Sequence, residues 1–190
     1  IFLFILEKNI EFQLLGLFLS SLVFYLIGLL DDIYSIKPIK RLVFQIIYSI
    51  FLWKYINFLD FPFFSFFLEK NPNFIILTLS LIFSVIWISG VTNAINWLDG
   101  MDGLAAGVCL LISFGMMIMA FYIENNLAII FSSSIVGSCI GFLTYNFSPA
   151  KIIMGDAGSN LLGFNLALTS IILLRDSHSV GILPFSFIIF

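Results

Sequence analysis

The chain has 190 residues, of which 61% are hydrophobic and 10% are charged, and its mean hydropathy is +1.15. Soluble domains are about 45–50% apolar and about 25% charged, so this composition excludes a water-soluble fold and indicates a membrane protein. The formal net charge of −3 also argues against a nucleic-acid partner, which requires a basic surface on the protein.

Five apolar runs are each long enough to form a membrane-spanning helix, which needs roughly 20 mostly apolar residues. In chain order these runs cover about 12–30, 39–58, 74–96, 104–123 and 127–146. A shorter run follows at 160–174, and a further one begins near 180. None of them has the period-2 alternation of a membrane β-barrel. We therefore predict an all-α, polytopic helical transmembrane bundle with about six to seven spans.

The extent of the domain follows from the same pattern, because no internal repeat, low-complexity linker or soluble segment interrupts the runs. We expect residues 1–190 to form a single integral-membrane domain. We also expect it to be incomplete at both ends, since Ile1 is not a Met and Phe190 lies within an apolar run. Cys109 and Cys139 lie inside apolar runs, which favours ordinary packing over a metal site or a disulfide framework.

Three polar connections are predicted to lie on one membrane face. The first contains Asp31 and Asp32, the second is VTNAINWLDGMDG, which ends at Gly103, and the third is SPAKIIMGDAGS at 148–159. Two runs separate each segment from the next, so the chain returns to the same side each time. The eight basic residues divide evenly between the two faces, but the cluster from Lys37 to Arg41 favours a cytoplasmic location for this face.

Five of the eleven acidic residues lie in these three segments. They are Asp31, Asp32, Asp99, Asp102 and Asp156. All lie at span ends, where an ionised carboxylate avoids the cost of about 2.5–3.5 kcal/mol for insertion at mid-helix. An interfacial position alone explains acids such as Asp60 and Glu124 on the other face. It does not explain the glycines and asparagines that accompany the five, which indicate a binding or catalytic site.

The second segment carries a polar residue every three positions, at Asn93, Asn96, Asp99 and Asp102. On a helix each step of three turns back by about 60°, so three consecutive members share one face. Amides and carboxylates at the end of an apolar span need polar partners. A ligand with hydroxyls or a metal-bound phosphate would supply them, and helix packing is the alternative interpretation.

The third segment contains GDAGS, in which Gly155 and Gly158 flank Asp156 and allow the backbone to approach a ligand closely. We expect Ser159 or Asn160 to cap the span that follows. The free N–H groups and the positive dipole end at the start of that helix suit a phosphate.

Aspartates that converge on one face imply either raised pKa values or a bound cation. Two carboxylates about 5 Å apart repel by roughly 3 kcal/mol at an effective dielectric near 20. Ligands that are all oxygen atoms favour a hard cation, Mg²⁺ or Mn²⁺, over zinc. The single histidine, His178, is predicted to lie on the opposite face, which also argues against zinc.

Three segments resemble the polyprenyl-phosphate N-acetylhexosamine-1-phosphate transferases, in family order and at family-like separations. They are LLDDIYSIKPIKRLVFQ (29–45), VTNAINWLDGMDGLAAG (91–107) and GFLTYNFSPAKIIMGDAGSNLLGF (141–164). The resemblance implies a transferase domain with a Mg²⁺-dependent reaction at the cytoplasmic face of the bacterial plasma (inner) membrane. In that reaction polyprenyl phosphate attacks the β-phosphorus of a UDP-sugar and releases UMP. The first segment is more similar to the N-acetylglucosamine-1-phosphate branch, and the phospho-N-acetylmuramoyl-pentapeptide branch is the alternative.

The resemblance also implies roles for individual residues. The expected catalytic acids are Asp31, Asp32, Asp99 and Asp102. The expected substrate-binding residues are Asn93, Asn96, Lys40, Gly158 and Ser159. The expected metal ligands are Asp32 and Asp156. A strong general base is unnecessary, because a phosphate monoester with a second pKa of about 6 is largely ionised at pH 7.

The expected partners are the membrane, polyprenyl phosphate and a UDP-sugar, and a homodimer is left open. Three other classes remain as alternatives. A secondary transporter would place its acids near the bilayer midplane rather than at span ends. A CDP-alcohol phosphotransferase has an Ala-Arg pair shortly after its first Asp-Gly, whereas Met101 and Asp102 follow Asp99-Gly100 here. The third alternative is a non-enzymatic membrane scaffold.

Overall fold

The structure, a computed structural model, describes residues 10–56 and 74–177. This part of the chain contains six α-helices and no strand. The helices are α1 (Ile10–Tyr34), α2 (Pro38–Ile56), α3 (Phe74–Leu98), α4 (Leu104–Tyr122), α5 (Asn126–Asn146) and α6 (Gly155–Ser177). The predicted all-α bundle is confirmed.

Five of the six helices are long and apolar enough to cross a membrane, by length and composition. The exception is α2, which carries Lys40, Arg41 and Lys54 within its 19 residues. The predicted run at 39–58 is helical as far as Ile56, where the description of this part of the chain ends, and its three basic residues set it apart from the five candidate spans. The short run at 160–174 belongs to a longer helix, α6, and the run predicted near 180 lies outside the described residues.

The central element of the bundle is α6. Its apolar stretch is 78% buried inside the protein, against 33–39% for the other four candidate spans. Helices α1, α3, α4 and α5 all pack against it. On its α1 side, Phe164 stacks on Phe24 with ring centroids 4.0 Å apart, and both rings are fully buried. The GDAGS segment thus begins the helix around which the bundle is built.

Two glycines allow neighbouring helices to approach α6 closely. A Cβ at Gly28 of α1 would overlap the carbonyl oxygen of Asp156 and lie 2.6 Å from the Cα of Ala157. A Cβ at Gly163 of α6 would lie 2.7 Å from the Cα of Thr92 in α3. Neither position has room for a side chain, so glycine at both sites sets how near α1 and α3 come to the start of α6.

We expect Gly28→Ala to destabilise the protein, because the added methyl group must push α1 away from backbone atoms that cannot yield. Overpacking of this kind typically costs about 1–3 kcal/mol. The measurement is the thermal unfolding midpoint of the purified protein in detergent. Gly137→Ala in α5 is the matched control, since a Cβ there meets nothing within 4 Å. Equal midpoints for the two variants would contradict the packing described here.

Successive helices run in opposite directions, so the three polar segments meet at one end of the bundle. At that end the Gln45 Oε1 of α2 accepts a hydrogen bond from the Asn93 Nδ2 of α3. At the other end the Trp53 Nε1 of α2 donates to the Ser80 Oγ of α3. We call the end that carries Asp32, Asn93 and the start of α6 the polar end.

The direction of the helices predicts which loops share a membrane face. Single cysteines at Ser35, Met101 and Lys151, which are exposed at the polar end, should react with an impermeant thiol reagent from one side. A single cysteine at Asn125, in the turn between α4 and α5, should react from the other side. The background is a variant that lacks Cys109 and Cys139. Labelling of Met101→Cys and Asn125→Cys from the same side would overturn this topology.

Candidate active site at the polar end

A cavity of about 440 Å³ opens at the polar end of the bundle, and we call it the acidic cavity. Side chains from four helices and the α1–α2 turn surround it. They are Asp31, Asp32, Ser35, Ile36, Pro38, Arg41, Asn96 and Asp156. All three predicted polar segments contribute to this lining. Three carboxylates against one guanidinium leave the cavity with two negative formal charges, which favours a cationic occupant.

Arg41 joins the three polar segments. Its Nη1 donates to the Asp31 Oδ2 at 2.6 Å and to the Asp156 Oδ1 at 2.9 Å. Its Nη2 donates to the Asn96 Oδ1 at 2.9 Å. Arg41 and Asp31 are both buried, at 8% and 7% exposure, so each depends on the other for charge compensation. The Arg41 Nε is also buried and has no hydrogen-bond partner among the described residues.

Asp32 caps the central helix from α1. Its Oδ1 accepts from the backbone N–H of Asp156 at 2.8 Å, and its Oδ2 accepts from that of Ala157 at 2.9 Å. Gly155 supports this contact with a φ of 72°, in the left-handed region. A Cβ at Gly155 would lie only 3.0 Å from the Asp32 Oδ2. A carboxylate at a helix N-terminus is favourable both as a hydrogen-bond acceptor and as a charge at the positive end of the dipole.

The predicted cap of this helix is wrong. The helix begins at Gly155, before Asp156, so Ser159 and Asn160 lie in its second turn instead of at its cap. Two of the N–H groups expected to be free for a phosphate are occupied by Asp32. The sequence could not show this, because the cap is supplied by a residue more than a hundred positions away.

Asn96 and Ser159 hold Asp156 in place. The Asn96 Nδ2 donates to the Asp156 Oδ1 and, at 2.8 Å, to the Ser159 Oγ. The Ser159 hydroxyl in turn donates to the Gly155 carbonyl oxygen at 3.0 Å. Both are predicted to bind substrate; Asn96 lines the acidic cavity and contacts the Asp156 carboxylate, whereas Ser159 supports Asn96 from outside the lining.

Asp99 follows the end of α3 and faces two other acids. The pKa of Asp99 is raised to about 6, mainly by burial and further by the charges of Asp156 and Asp32, while a hydrogen bond from the Gly155 backbone partly offsets the rise. Its charge therefore changes near pH 6. A group with this pKa is suited to hold or release a proton beside the acidic cavity.

Six predicted site residues do not line the acidic cavity. Asn93, Asp99 and Ser159 lie close to residues that line it, and the other three lie further away. Asp102 is exposed, and its Oδ2 accepts from the backbone N–H of Ala150 at 3.0 Å. Lys40 is exposed on α2 and does not line the cavity. Gly158 lines a separate cavity of about 280 Å³ between α5 and α6. Asp102 does not share a helical face with Asn93 and Asn96, because α3 ends at Leu98.

Three residues at this end are not among the predicted site residues, namely Arg41, Gln45 and Asn160, the last of which is predicted only as a helix cap. Arg41 and Gln45 are one helical turn apart in an otherwise apolar run, and this spacing was the available signal. The Gln45 Nε2 donates to the Asn160 Oδ1 at 2.9 Å. The Asn160 Nδ2 donates to the Asp156 carbonyl oxygen at 2.7 Å.

The described residues contain no group of three or more His, Cys, Asp or Glu side chains arranged to hold a metal ion by themselves. The carboxylates of Asp32 and Asp156 nevertheless line one cavity that has excess negative charge. Mg²⁺ is commonly bound by one or two carboxylates together with waters and substrate phosphates. The donor set therefore fits Mg²⁺ that arrives with a phosphate ligand, and does not fit a complete protein cage.

Fold and site together define a multi-pass helical membrane protein with a polar, carboxylate-rich site at one end of its bundle. Comparison with known proteins gives the family. The chain belongs to glycosyl transferase family 4, whose sequence pattern matches residues 14–174.

Curated relatives from several bacteria are similar to this chain. A probable undecaprenyl-phosphate N-acetylglucosaminyl 1-phosphate transferase of Bacillus subtilis is 33% identical over 167 residues, which are 88% of this chain and 46% of the relative. A phospho-N-acetylmuramoyl-pentapeptide-transferase of Listeria monocytogenes is 33% identical over 174 residues, which cover 84% of this chain and 52% of the relative. The same enzyme of Lactiplantibacillus plantarum is 46% identical over 94 residues, covering 49% and 29%. The chain spans about half the length of the first two relatives.

Proposed function

We propose that the protein transfers a sugar 1-phosphate from a UDP-sugar to polyprenyl phosphate. The proposed sugar is N-acetylglucosamine. The observation that carries this proposal is the gathering of Asp31, Arg41, Asn96 and Asp156 at one end of a membrane bundle. A site at a span end meets a lipid phosphate from the membrane and a nucleotide from water. Since nucleotide sugars are cytoplasmic compounds, the proposed location is the cytoplasmic face of the bacterial plasma membrane.

In the proposed reaction, an oxygen of polyprenyl phosphate forms a bond to the β-phosphorus of the UDP-sugar. The bond from that phosphorus to the oxygen that bridges it to the α-phosphorus breaks, and UMP leaves with the electron pair. The product is a sugar linked to polyprenyl diphosphate. Because phosphoryl transfer depends mainly on positioning and charge neutralisation, a cavity with fixed charges meets its main requirements.

Arg41 is suited to neutralise the charge of the transferred phosphate. A guanidinium offers five N–H donors in a planar fork that matches phosphate oxygens. The guanidinium is held at the edge of the acidic cavity by its contacts with Asp31, Asn96 and Asp156, so it needs little rearrangement to face a phosphate there. Asn96 orients Asp156 and accepts from Arg41, which keeps both charged groups at fixed positions.

We also propose that Mg²⁺, or Mn²⁺, is held by Asp32 and Asp156 together with substrate phosphates. When bound, the ion would polarise the phosphate oxygens and offset the charge of the leaving group. Asp31 is proposed to orient the lipid phosphate through Arg41, its ion-pair partner. Asp99, with a pKa of about 6, is proposed to hold a proton near the nucleotide.

UMP release by the full-length protein in detergent tests the proposal. The assay supplies polyprenyl phosphate and Mg²⁺ with either UDP-N-acetylglucosamine or UDP-N-acetylmuramoyl-pentapeptide. The second donor is included because the Listeria relative is as similar to this chain as the Bacillus relative is. We expect release that requires the lipid and is faster with UDP-N-acetylglucosamine. Absence of release with both donors would refute the proposed function.

A further inference from the structure

Gln45 lies beneath the acidic cavity, one helical turn after Arg41 on α2. Its side chain is 0% exposed. The Oε1 accepts from the Asn93 Nδ2 of α3 at 2.6 Å, and the Nε2 donates to the Asn160 Oδ1 of α6 at 2.9 Å. One amide therefore joins the three helices that carry Arg41, Asn96 and Asp156.

The contacts of Gln45 continue directly to the groups that line the cavity. Asn160, itself fully buried, donates from Nδ2 to the Asp156 carbonyl oxygen at 2.7 Å. Asn93 lies one turn before Asn96 on α3, and it also donates to the Ser89 carbonyl oxygen at 2.7 Å. A shift of α2 relative to α3 or α6 would thus move Arg41 relative to both of its partners on those helices.

Burial makes this arrangement rigid. A buried amide that loses its partner is costly, so the Gln45 contacts favour a single register among the three helices. α2 needs such a contact, because its packing against α1 is slight and its main neighbour in the described chain is α3. Trp53 and Ser80 also join α2 to α3, but they do so at the far end of the bundle, about three helical turns from Arg41.

We infer that Gln45 is a positioning residue, which sets the guanidinium of Arg41 against Asn96 and Asp156 for the transfer reaction. The inference rests on the proposed function. Gln45 touches no substrate, and its effect on the reaction passes through the helices that it joins. A misplacement of about 1 Å in a catalytic group can reduce a rate by about 10²-fold.

The test compares Gln45→Leu with Trp53→Phe in the full-length protein. Both variants remove a contact between α2 and α3, but only the first lies beneath the acidic cavity. Thermal unfolding midpoints, kcat and KM for the UDP-sugar and for the lipid are measured for each. We expect Gln45→Leu to lower kcat about 10- to 100-fold while each KM changes less than threefold. Trp53→Phe should keep kcat within twofold of the wild type.

Gln45→Glu is a second variant in case Gln45→Leu does not fold. It keeps the shape of the side chain and the acceptor for Asn93, and the assay is run at a pH where the carboxyl is ionised and has no donor for Asn160. We expect a loss of kcat here as well, without a matching rise in KM. A kcat within twofold of the wild type in either folded Gln45 variant would overturn the inference, as would an equal loss in Trp53→Phe.

Wild-type activity is measured first, which separates the two proposals. Failure of the proposed function would appear in the wild type as absence of UMP release. Failure of this inference would appear only in the variants, against an active wild type.

Discussion

Asp156→Asn is expected to lower the initial rate of transfer by at least about 10²–10³-fold, while the protein still inserts into the membrane. The substitution keeps the shape of the side chain but removes one negative charge from the acidic cavity. In the structure that carboxylate accepts from Arg41 and from Asn96 through the same oxygen. Electrostatic stabilisation by a single placed group is typically worth about 10²–10³ in rate. Loss of a proposed Mg²⁺ ligand would add to the effect.

The measurement is the initial rate against Mg²⁺ concentration for the wild type and the variant. The matched control is Glu124→Gln, which removes one carboxylate charge from the turn between α4 and α5 at the opposite end. This control should keep both the rate and the Mg²⁺ dependence of the wild type. A Mg²⁺ dependence like that of the wild type in Asp156→Asn would remove Asp156 from the proposed metal site. Equal damage from Glu124→Gln would contradict the placement of the site at one end.

The sequence predicted the helices well because their signal is local. A run of about 20 apolar residues forms a spanning helix almost regardless of its neighbours, since the bilayer requires every backbone group to be bonded internally. Counting spans then placed three polar segments at one end, and the structure gathers Asp32, Asn96 and Asp156 there. The central position of α6 was not predictable, because burial on all sides depends on how the other helices pack.

The details of the site were harder to predict for a different reason. The capping of α6 by Asp32 and the Gln45–Asn160 bond each join residues more than a hundred positions apart. The three-residue spacing correctly places Asn93 and Asn96 on the last turns of one helix at the polar end, but α3 ends at Leu98, so the helical argument does not reach Asp99 and Asp102. Arg41 was read as part of a basic loop cluster, whereas the fold buries it among acids. Lys40, the neighbouring basic residue, is exposed instead.

Arg41→Gln is expected to lower both activity and stability. The substitution removes the ion pairs to Asp31 and Asp156 and leaves buried Asp31 without its charge partner. Removing one member of a buried ion pair typically costs about 3–5 kcal/mol of unfolding free energy. We also expect kcat/KM to fall by at least about 10²-fold, since the proposed donor to the phosphate is lost. Unfolding midpoints and UMP release measure the two effects, and Lys151→Gln, an exposed lysine at the same end, is the charge-matched control.

A second variant separates the effect of Arg41 on stability from its effect on catalysis, because it should restore the stability without restoring the activity. In the double variant Arg41→Gln with Asp31→Asn, no buried charge is left unpaired, so much of the lost stability should return. Activity should remain low, because the proposed contact between a guanidinium and the substrate phosphates is still missing. The activity of Arg41→Lys should lie between that of the wild type and that of Arg41→Gln. One ammonium cannot reach Asp31, Asn96 and Asp156 together, as the planar guanidinium does. If the double variant recovers activity in proportion to its stability, Arg41 serves the fold alone and the proposed phosphate contact is wrong.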